Sequence, residues 1–346
     1  MHRGDTEVAE DDSCGPCDSA IPAFQHLRVI VTLRRHKSTA SASISRVYIR
    51  FRIVILSVMA DAATRKTPRL RFLERMPMMR MLDTVNRLLP GLGRLTIRLW
   101  YQYMTRLDQN ADMIFMNYGY AELDSAAPAL ALQAPDEKTR LCTQLYHHVA
   151  GSVDLRGRDV LEIGCGRGGG ASYIARYLGT RSMTGVDIAE QATRFCCRFY
   201  DLPALKFQQA DAEALPFPDG SFDAVVNVES SHCYPSMIRF VHEVHRVLRP
   251  GGYFLIADRR DRRDIAHLRA QLTGDNFEVV RETDITPNIL RALDLDDERK
   301  LTLIYTHVPA LVRKAFKQFA ATRGTSLYES FRDGRWEYRS FVLRKT

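Results

Sequence analysis

Long apolar runs are missing from this 346-residue sequence. The nearest, Val47 to Val58, is short and broken by Arg50 and Arg52, so nothing reaches the roughly 18 apolar residues of a spanning helix. A secretory signal is lacking too, because no charged start, apolar stretch and small-residue cleavage site follow in that order. Cysteine is sparse and odd in number, seven in all, which argues against a secreted disulfide framework and for the reducing cytoplasm. Cys14 and Cys17 have neither a βαβ context nor a second pair, so they read as incidental. Metal-ligand spacing is absent as well. His242 and His245 stand one residue short of H-E-x-x-H, His147 and His148 are adjacent and point apart on a helix, and no metal site is expected. Composition is not extreme: 45% apolar and 26% charged residues exclude a wholly disordered or fibrous chain. Neither sign of charge dominates, since 49 basic against 41 acidic residues leave +8. That excess suits an anionic ligand, a membrane surface or nucleic acid without choosing among them.

Three stretches differ in character. Residues 1–58 open acidic (Glu7, Glu10, Asp11, Asp12) and turn basic and Ser-rich around Arg34 to Ser45, which reads as a disordered leader or an over-extended start before Met59. Residues 59–135 form a cap. Within it, Arg65 to Arg106 carries ten basic residues against Glu74 and Asp83, interleaved with Leu, Met and Trp. This basic amphipathic pattern predicts helices that lie in a bilayer interface or, equally, pack on the protein's own core. From 136 to 346 the chain alternates helix and strand. Leu141, Leu145 and Val149 mark a helix; strands are expected at 160–163, 183–186, 205–209, 224–228 and 253–257. Helices fall at 171–178, 192–200 and Met237 to Leu248, the last burying Ile238, Val241, Val244 and Leu248. Two further strands, Phe277 to Glu282 and Trp336 to Leu343, flank a helical insert. The pattern predicts an α/β fold, a doubly wound and mostly parallel seven-stranded sheet with an N-terminal helical cap and a helical lid.

Where the first strand turns to helix the chain reads Glu162-Ile163-Gly164-Cys165-Gly166-Arg167-Gly168-Gly169-Gly170, at the edge where such sheets bind ligands. Gly164, Gly166 and Gly169 also satisfy the dinucleotide pattern, with Asp187 at the right distance for a ribose hydroxyl. Three neighbours tilt the reading from a pyrophosphate to a cationic nucleoside: Glu162 just before the turn, Asp211 after the third strand, and the Arg249-Pro250-Gly251-Gly252 turn.

This arrangement resembles the class I S-adenosylmethionine-dependent methyltransferases over roughly Asp136 to Thr346. The resemblance implies S-adenosylmethionine as cofactor. Gly164, Gly166 and Gly168 would admit its methionine part beside Glu162, Asp187 would take the ribose hydroxyls, and Asp211 with Ala212 would meet the adenine. Asn227 and an aromatic closing over the cofactor, Tyr118, complete the implied contacts. Within the superfamily, Ile114-Phe-Met-Asn-Tyr-Gly-Tyr-Ala-Glu122, Asn227-Val-Glu-Ser-Ser-His-Cys-Tyr-Pro235 and Val247-Leu-Arg-Pro-Gly-Gly-Tyr253 are similar to the mycobacterial phthiotriolone/phenolphthiotriolone dimycocerosates methyltransferases. O-methylation of a hydroxyl on a long lipid or polyketide-derived lipid, met at the membrane surface, is what this implies. A sugar, small polyketide or fatty-acid O-methyltransferase is the alternative.

An alcohol acceptor must lose its proton. His232, at the carboxyl edge after the fourth strand, can act as general base near neutral pH, oriented by Asp258 at the end of the fifth. The run Asp258 to Asp264 has offsetting charges and reads as a solvated loop. Asn227-Val-Glu-Ser is not the Asn-Pro-Pro-aromatic signature of base methylation and no stacking platform is evident, so no nucleic-acid partner is expected. A catalytically silent binding module is the third class.

Overall fold

A buried strand can satisfy its backbone only by pairing with its neighbours, and seven strands here do so in one sheet. The computed structural model describes residues 113–274 and 277–346. Its strands are β1 (Asp159–Ile163), β2 (Ser182–Asp187), β3 (Leu205–Gln209), β4 (Phe222–Val228), β5 (Leu248–Asp261), β6 (Phe277–Asp284) and β7 (Trp336–Lys345), in the spatial order β3-β2-β1-β4-β5-β7-β6. The first five run parallel, and β7 lies antiparallel between β5 and β6. The order reverses between β1 and β4, which opens a crevice at their carboxyl ends.

Helices cover both faces: α1 (Arg140–Ala150), α2 (Gly169–Tyr177), α3 (Glu190–Phe199), α4 (Met237–Val247) and α5 (Ile265–Thr273). The period-two alternation of a strand divides the core. Val160, Met183, Val226 and Leu255 face α1 and α2 residues such as Leu145, Val149 and Ile174, while Leu161, Val186, Val225 and Phe254 face Phe240, Val241 and Val244 of α4. Between β6 and β7 comes the expected helical insert, α6 (Thr286–His307), α7 (Arg313–Phe319) and α8 (Ser326–Arg332).

Each expected strand and helix of the 136–346 region is present, and α5 is an addition. Three details differ. Ile238 is 64% exposed and Phe240 is fully buried, because the apolar stripe of α4 runs through Met237, Phe240, Val241 and Val244 and leaves Ile238 on the far side. Leu248 belongs to β5, not to the helix. The run Asp258 to Asp264 is not a solvated loop at its start: β5 continues to Asp261, and pairing with β7 buries Asp258 and Arg259. The leader 1–58, the pair Cys14 and Cys17, and the basic stretch 65–106 lie outside the described residues. Of the described part of the cap, 113–135, residues 113–133 are non-helical and a 3-10 helix begins at Ala134. No helix among the described residues is long and apolar enough to cross a membrane.

Phe240 packs edge-on against Tyr234 and Phe254, with ring centroids 4.7 and 5.7 Å away. Phe240→Ala is expected to lower the stability measured by urea unfolding by about 3–5 kcal/mol through cavity formation, and Ile238→Ala by less than about 0.5 kcal/mol.

Candidate active site

Because side chains alternate along β1, Glu162 shares its face with Val160 and meets α1. It is completely buried. The Tyr146 hydroxyl donates to its Oε1 at 2.6 Å, and its Oε2 is buried without a hydrogen-bond partner. Burial, reinforced by the charge of Asp187, pushes its carboxyl up to about 7. The chain then turns sharply. Gly164 has φ 77°, and a Cβ there would lie 2.4 Å from Ser230 Oγ, so only glycine fits. The Gly164 and Cys165 amides donate to Val186 O; Gly168 stands at the N-terminus of α2.

Asp187, at the end of β2, accepts the Gly166 amide at 2.9 Å and the Ala189 amide at 2.8 Å, and burial raises its pKa. It borders two hollows. One is walled by Gly164, Gly166, Phe115, Met116, Glu229 and Ser230. The other is walled by Ile188, Asp211, Ala212, Ser230 and Tyr234; there Asp211 Oδ1 accepts the Glu213 amide. Glycine turn, Asp187, Asp211 and Ala212 are thus brought together as the sequence suggested.

The end of β4 supplies the opposite wall. Asn227 is fully buried, and its Nδ2 donates to Ile163 O at 2.8 Å and Ser230 Oγ at 2.7 Å, so it props the glycine turn from behind. Glu229 follows with φ 54°, a left-handed conformation that costs a glutamate about 1–3 kcal/mol. Its Oε2 accepts the Tyr118 amide at 2.8 Å, and burial pushes its carboxyl up to about 8. Sequence reading assigned this residue no role. The signal was a lone carboxylate straight after the buried run of β4.

His232 and Asp258 meet as expected. Asp258 Oδ1 lies 2.8 Å from His232 Nδ1, and its Oδ2 accepts the His232 amide at 2.8 Å and the Ser231 hydroxyl at 2.6 Å. Burial and Arg259 depress the imidazole, yet the Asp258 carboxylate outweighs them and raises it to about 9. Against burial, the His232 and Arg260 charges hold Asp258 well below the usual carboxylate range. His232 borders a neighbouring cleft with Tyr234, Arg259, Arg260 and Trp336, not the glycine-turn hollow itself. Tyr118 is also placed differently. Its ring packs edge-on against Phe331 and Tyr338 in the core, while Phe115 and Met116 wall the hollow. Under the insert lies a largely apolar cavity lined by Phe115, Met116, Tyr118, Leu303, Ile304 and Phe316, with Arg167, Arg299 and Lys300 at its polar positions.

The donor set fits a cationic nucleoside. A buried carboxylate oxygen without a partner, a turn that a Cβ would fill, and Asp187 and Asp211 around the second hollow suit a positive charge, a close backbone approach, and ribose and base. Among the described residues no group of His, Cys, Asp and Glu could hold a metal ion.

Comparison with known proteins agrees. Residues 161–256 match the family model described as a methyltransferase domain. The chain is 42% identical over 248 residues to the phthiotriol/phenolphthiotriol dimycocerosates methyltransferase of Mycobacterium tuberculosis, covering 72% of this chain and 91% of that one. It is 40% identical over 248 residues to a fatty-acid O-methyltransferase of Mycolicibacterium smegmatis, 72% and 89% covered. In fold it is similar to a cyclopropane synthase of Mycobacterium tuberculosis (TM-score 0.53, 15% identity, 70% and 98% covered). It is also similar to geranyl diphosphate C-methyltransferase of Streptomyces coelicolor, solved with S-adenosyl-L-homocysteine (TM-score 0.50, 18% identity, 71% and 98% covered).

Glu162, Glu229 and His232 all bind their proton more tightly when folded than when unfolded. Each therefore adds stability below its unfolded pKa that is lost as pH rises through its folded value. With those values at about 7, about 8 and about 9, the ligand-free protein is expected to lose stability from about pH 7 to about pH 9, above the range in which His147 and His148, lowered by burial, act in the opposite sense; urea midpoints across that range read it.

Proposed function

Because the chain belongs to the class I S-adenosylmethionine-dependent methyltransferases, in the family of the phthiotriol/phenolphthiotriol dimycocerosates methyltransferases, we propose that it O-methylates a hydroxyl of a long-chain or polyketide-derived lipid. The observation that carries this reading is the apolar cavity under the insert, which shares Phe115, Met116, Asn117 and Arg167 with the glycine-turn hollow. A greasy chain housed there would lie directly beside the cofactor site. S-adenosylmethionine supplies the electrophilic methyl group when bound. Gly164, Gly166 and Gly168 with Glu162 would hold its methionine part, Asp187 its ribose, and Asp211 with Ala212 its adenine. Asn227 keeps the turn in shape.

Transfer to oxygen is an in-line displacement, so most of the acceleration comes from holding the acceptor in place and excluding water. Phe115 and Met116 form the water-excluding wall. His232, in the adjoining cleft and close enough for its charge to act on Glu229 of the hollow wall, takes the proton of a hydroxyl that reaches past that wall in this reading: Asp258 fixes its Nδ1 side, leaving Nε2 to accept, and stabilises the imidazolium that results. The basic amphipathic stretch 65–106 would bring the enzyme to the anionic surface where such lipids reside. The runner-up acceptors are a sugar or small polyketide hydroxyl and a fatty acid, the last favoured by the fatty-acid O-methyltransferase relative.

Extracts of cells lacking the protein should contain a lipid lighter by one methylene per missing methyl; a normal lipid profile with an undermethylated soluble glycoside would transfer the assignment to the runner-up. His232→Ala should keep S-adenosylmethionine affinity within about twofold and lose about 10²–10⁴-fold in kcat. With the wild-type imidazole near 9, the proton-accepting form grows with pH, so kcat should climb toward about pH 9. Unchanged kcat in the variant removes His232 as the base.

A further inference from the structure

Glu229 is placed with unusual insistence. Among the described residues only it and Ala321 adopt positive φ without being glycine. The left-handed turn at the end of β4 carries its carboxylate back to the glycine-turn hollow, where the Tyr118 amide holds one oxygen. Among the described residues no Lys or Arg forms an ion pair with it. Asp187, the other carboxylate on that wall, is held by two backbone amides and likewise has no cation among the described residues. The hollow therefore presents two carboxyls in a poorly solvated place; the Arg259 and His232 charges act on Glu229 without forming an ion pair with it, and burial outweighs them. Strain retained at such a point is a mark of function.

We infer that Glu229 reads the charge of the cofactor: its carboxylate pairs with the sulfonium cation of S-adenosylmethionine and has no such partner in S-adenosylhomocysteine, whose sulfur is neutral. The inference rests on the cofactor reading above. Both nucleosides share the adenosine and amino-acid parts that Asp211, Asp187 and Glu162 would hold, so the sulfur charge is the difference available to Glu229. Loss of that charge on methyl transfer removes the partner that keeps the carboxyl ionised, which favours release of the product and its replacement by fresh donor. A charge-assisted contact in a desolvated site is the stronger kind, and the exchange needs no movement of the fold.

Glu229→Gln tests this directly, because the amide keeps the length of the side chain and an oxygen for the Tyr118 amide while losing the charge. Calorimetric titration of the full chain with each nucleoside is expected to show S-adenosylmethionine affinity weakened about tenfold, the scale of one charged contact, and S-adenosylhomocysteine affinity changed less than about twofold. Glu229→Asp should restore part of the preference. Equal weakening of both nucleosides, or of neither, overturns the inference. Absence of heat with either nucleoside in the unsubstituted chain overturns the cofactor reading itself. Should the Gln variant fail to fold, the wild-type chain carries the test. Glu229 faces Asp258 and Arg259 of β5, His232 of the following loop and Lys300 of α6. With its carboxyl near 8, the preference for the charged nucleoside should strengthen as pH rises from about 6 to about 9; a preference constant over that range overturns it.

Discussion

A carboxylate sealed from water with one oxygen unanswered is the constraint around which this site is built. Glu162 is fully buried, Tyr146 satisfies only Oε1, and removing an ion from water without a counter-charge costs several kcal/mol. The protein tolerates this by holding the proton near neutrality, so the carboxyl ionises readily only when a cation arrives. The surrounding geometry follows from that need. The glycine turn lies directly over the end of β1, Asn227 braces it through Ile163 O, and Gly170 must remain glycine because a Cβ there would lie 2.0 Å from the Tyr146 ring.

A second principle is the division of labour along the carboxyl edge of the sheet. Asp187 stands between two hollows, one at the glycine turn and one beside Asp211 and Ala212. Beyond Ser230 and Tyr234, the His232 and Asp258 pair occupies its own cleft with Arg259 and Arg260. Segment 113–121 closes the remaining side. Lys300 of the insert donates to Tyr118 O while Glu229 accepts the Tyr118 amide, so the backbone of this one residue is strung between the insert and the end of β4. The segment Phe115 to Asn117, which walls both the glycine-turn hollow and the apolar cavity, is thus followed directly by a residue held from both sides by charged groups.

Much of this could be read from residue order. Glu162, the glycine turn, Asp187 and Asp211 sit where expected strands end, and the alternation of strands and helices locates most ends within a residue or two, the fifth strand excepted, which runs from Leu248 to Asp261. His232 and Asp258 could be paired because consecutive parallel strands place their ends side by side. What could not be read depends on backbone conformation or on partners distant in sequence. Glu229 gains its position from a left-handed φ that no residue pattern announces. Tyr118 was expected at the cofactor, yet the aromatic surfaces of Phe331 and Tyr338, more than 200 residues away in the chain, draw its ring into the core. Asp258 and Arg259 looked solvated because β7, the strand that buries them, arrives only at the end of the chain.

The most direct measure of the central claim is the proton count on cofactor binding. Calorimetric titration with S-adenosylmethionine at about pH 7.5, in buffers of differing ionisation enthalpy, should reveal net proton release, because a bound cation drives ionisation of carboxyls held near 7 and near 8. A binding heat that does not vary with buffer would contradict the account, since the buried carboxylates would then take no part in holding the charge.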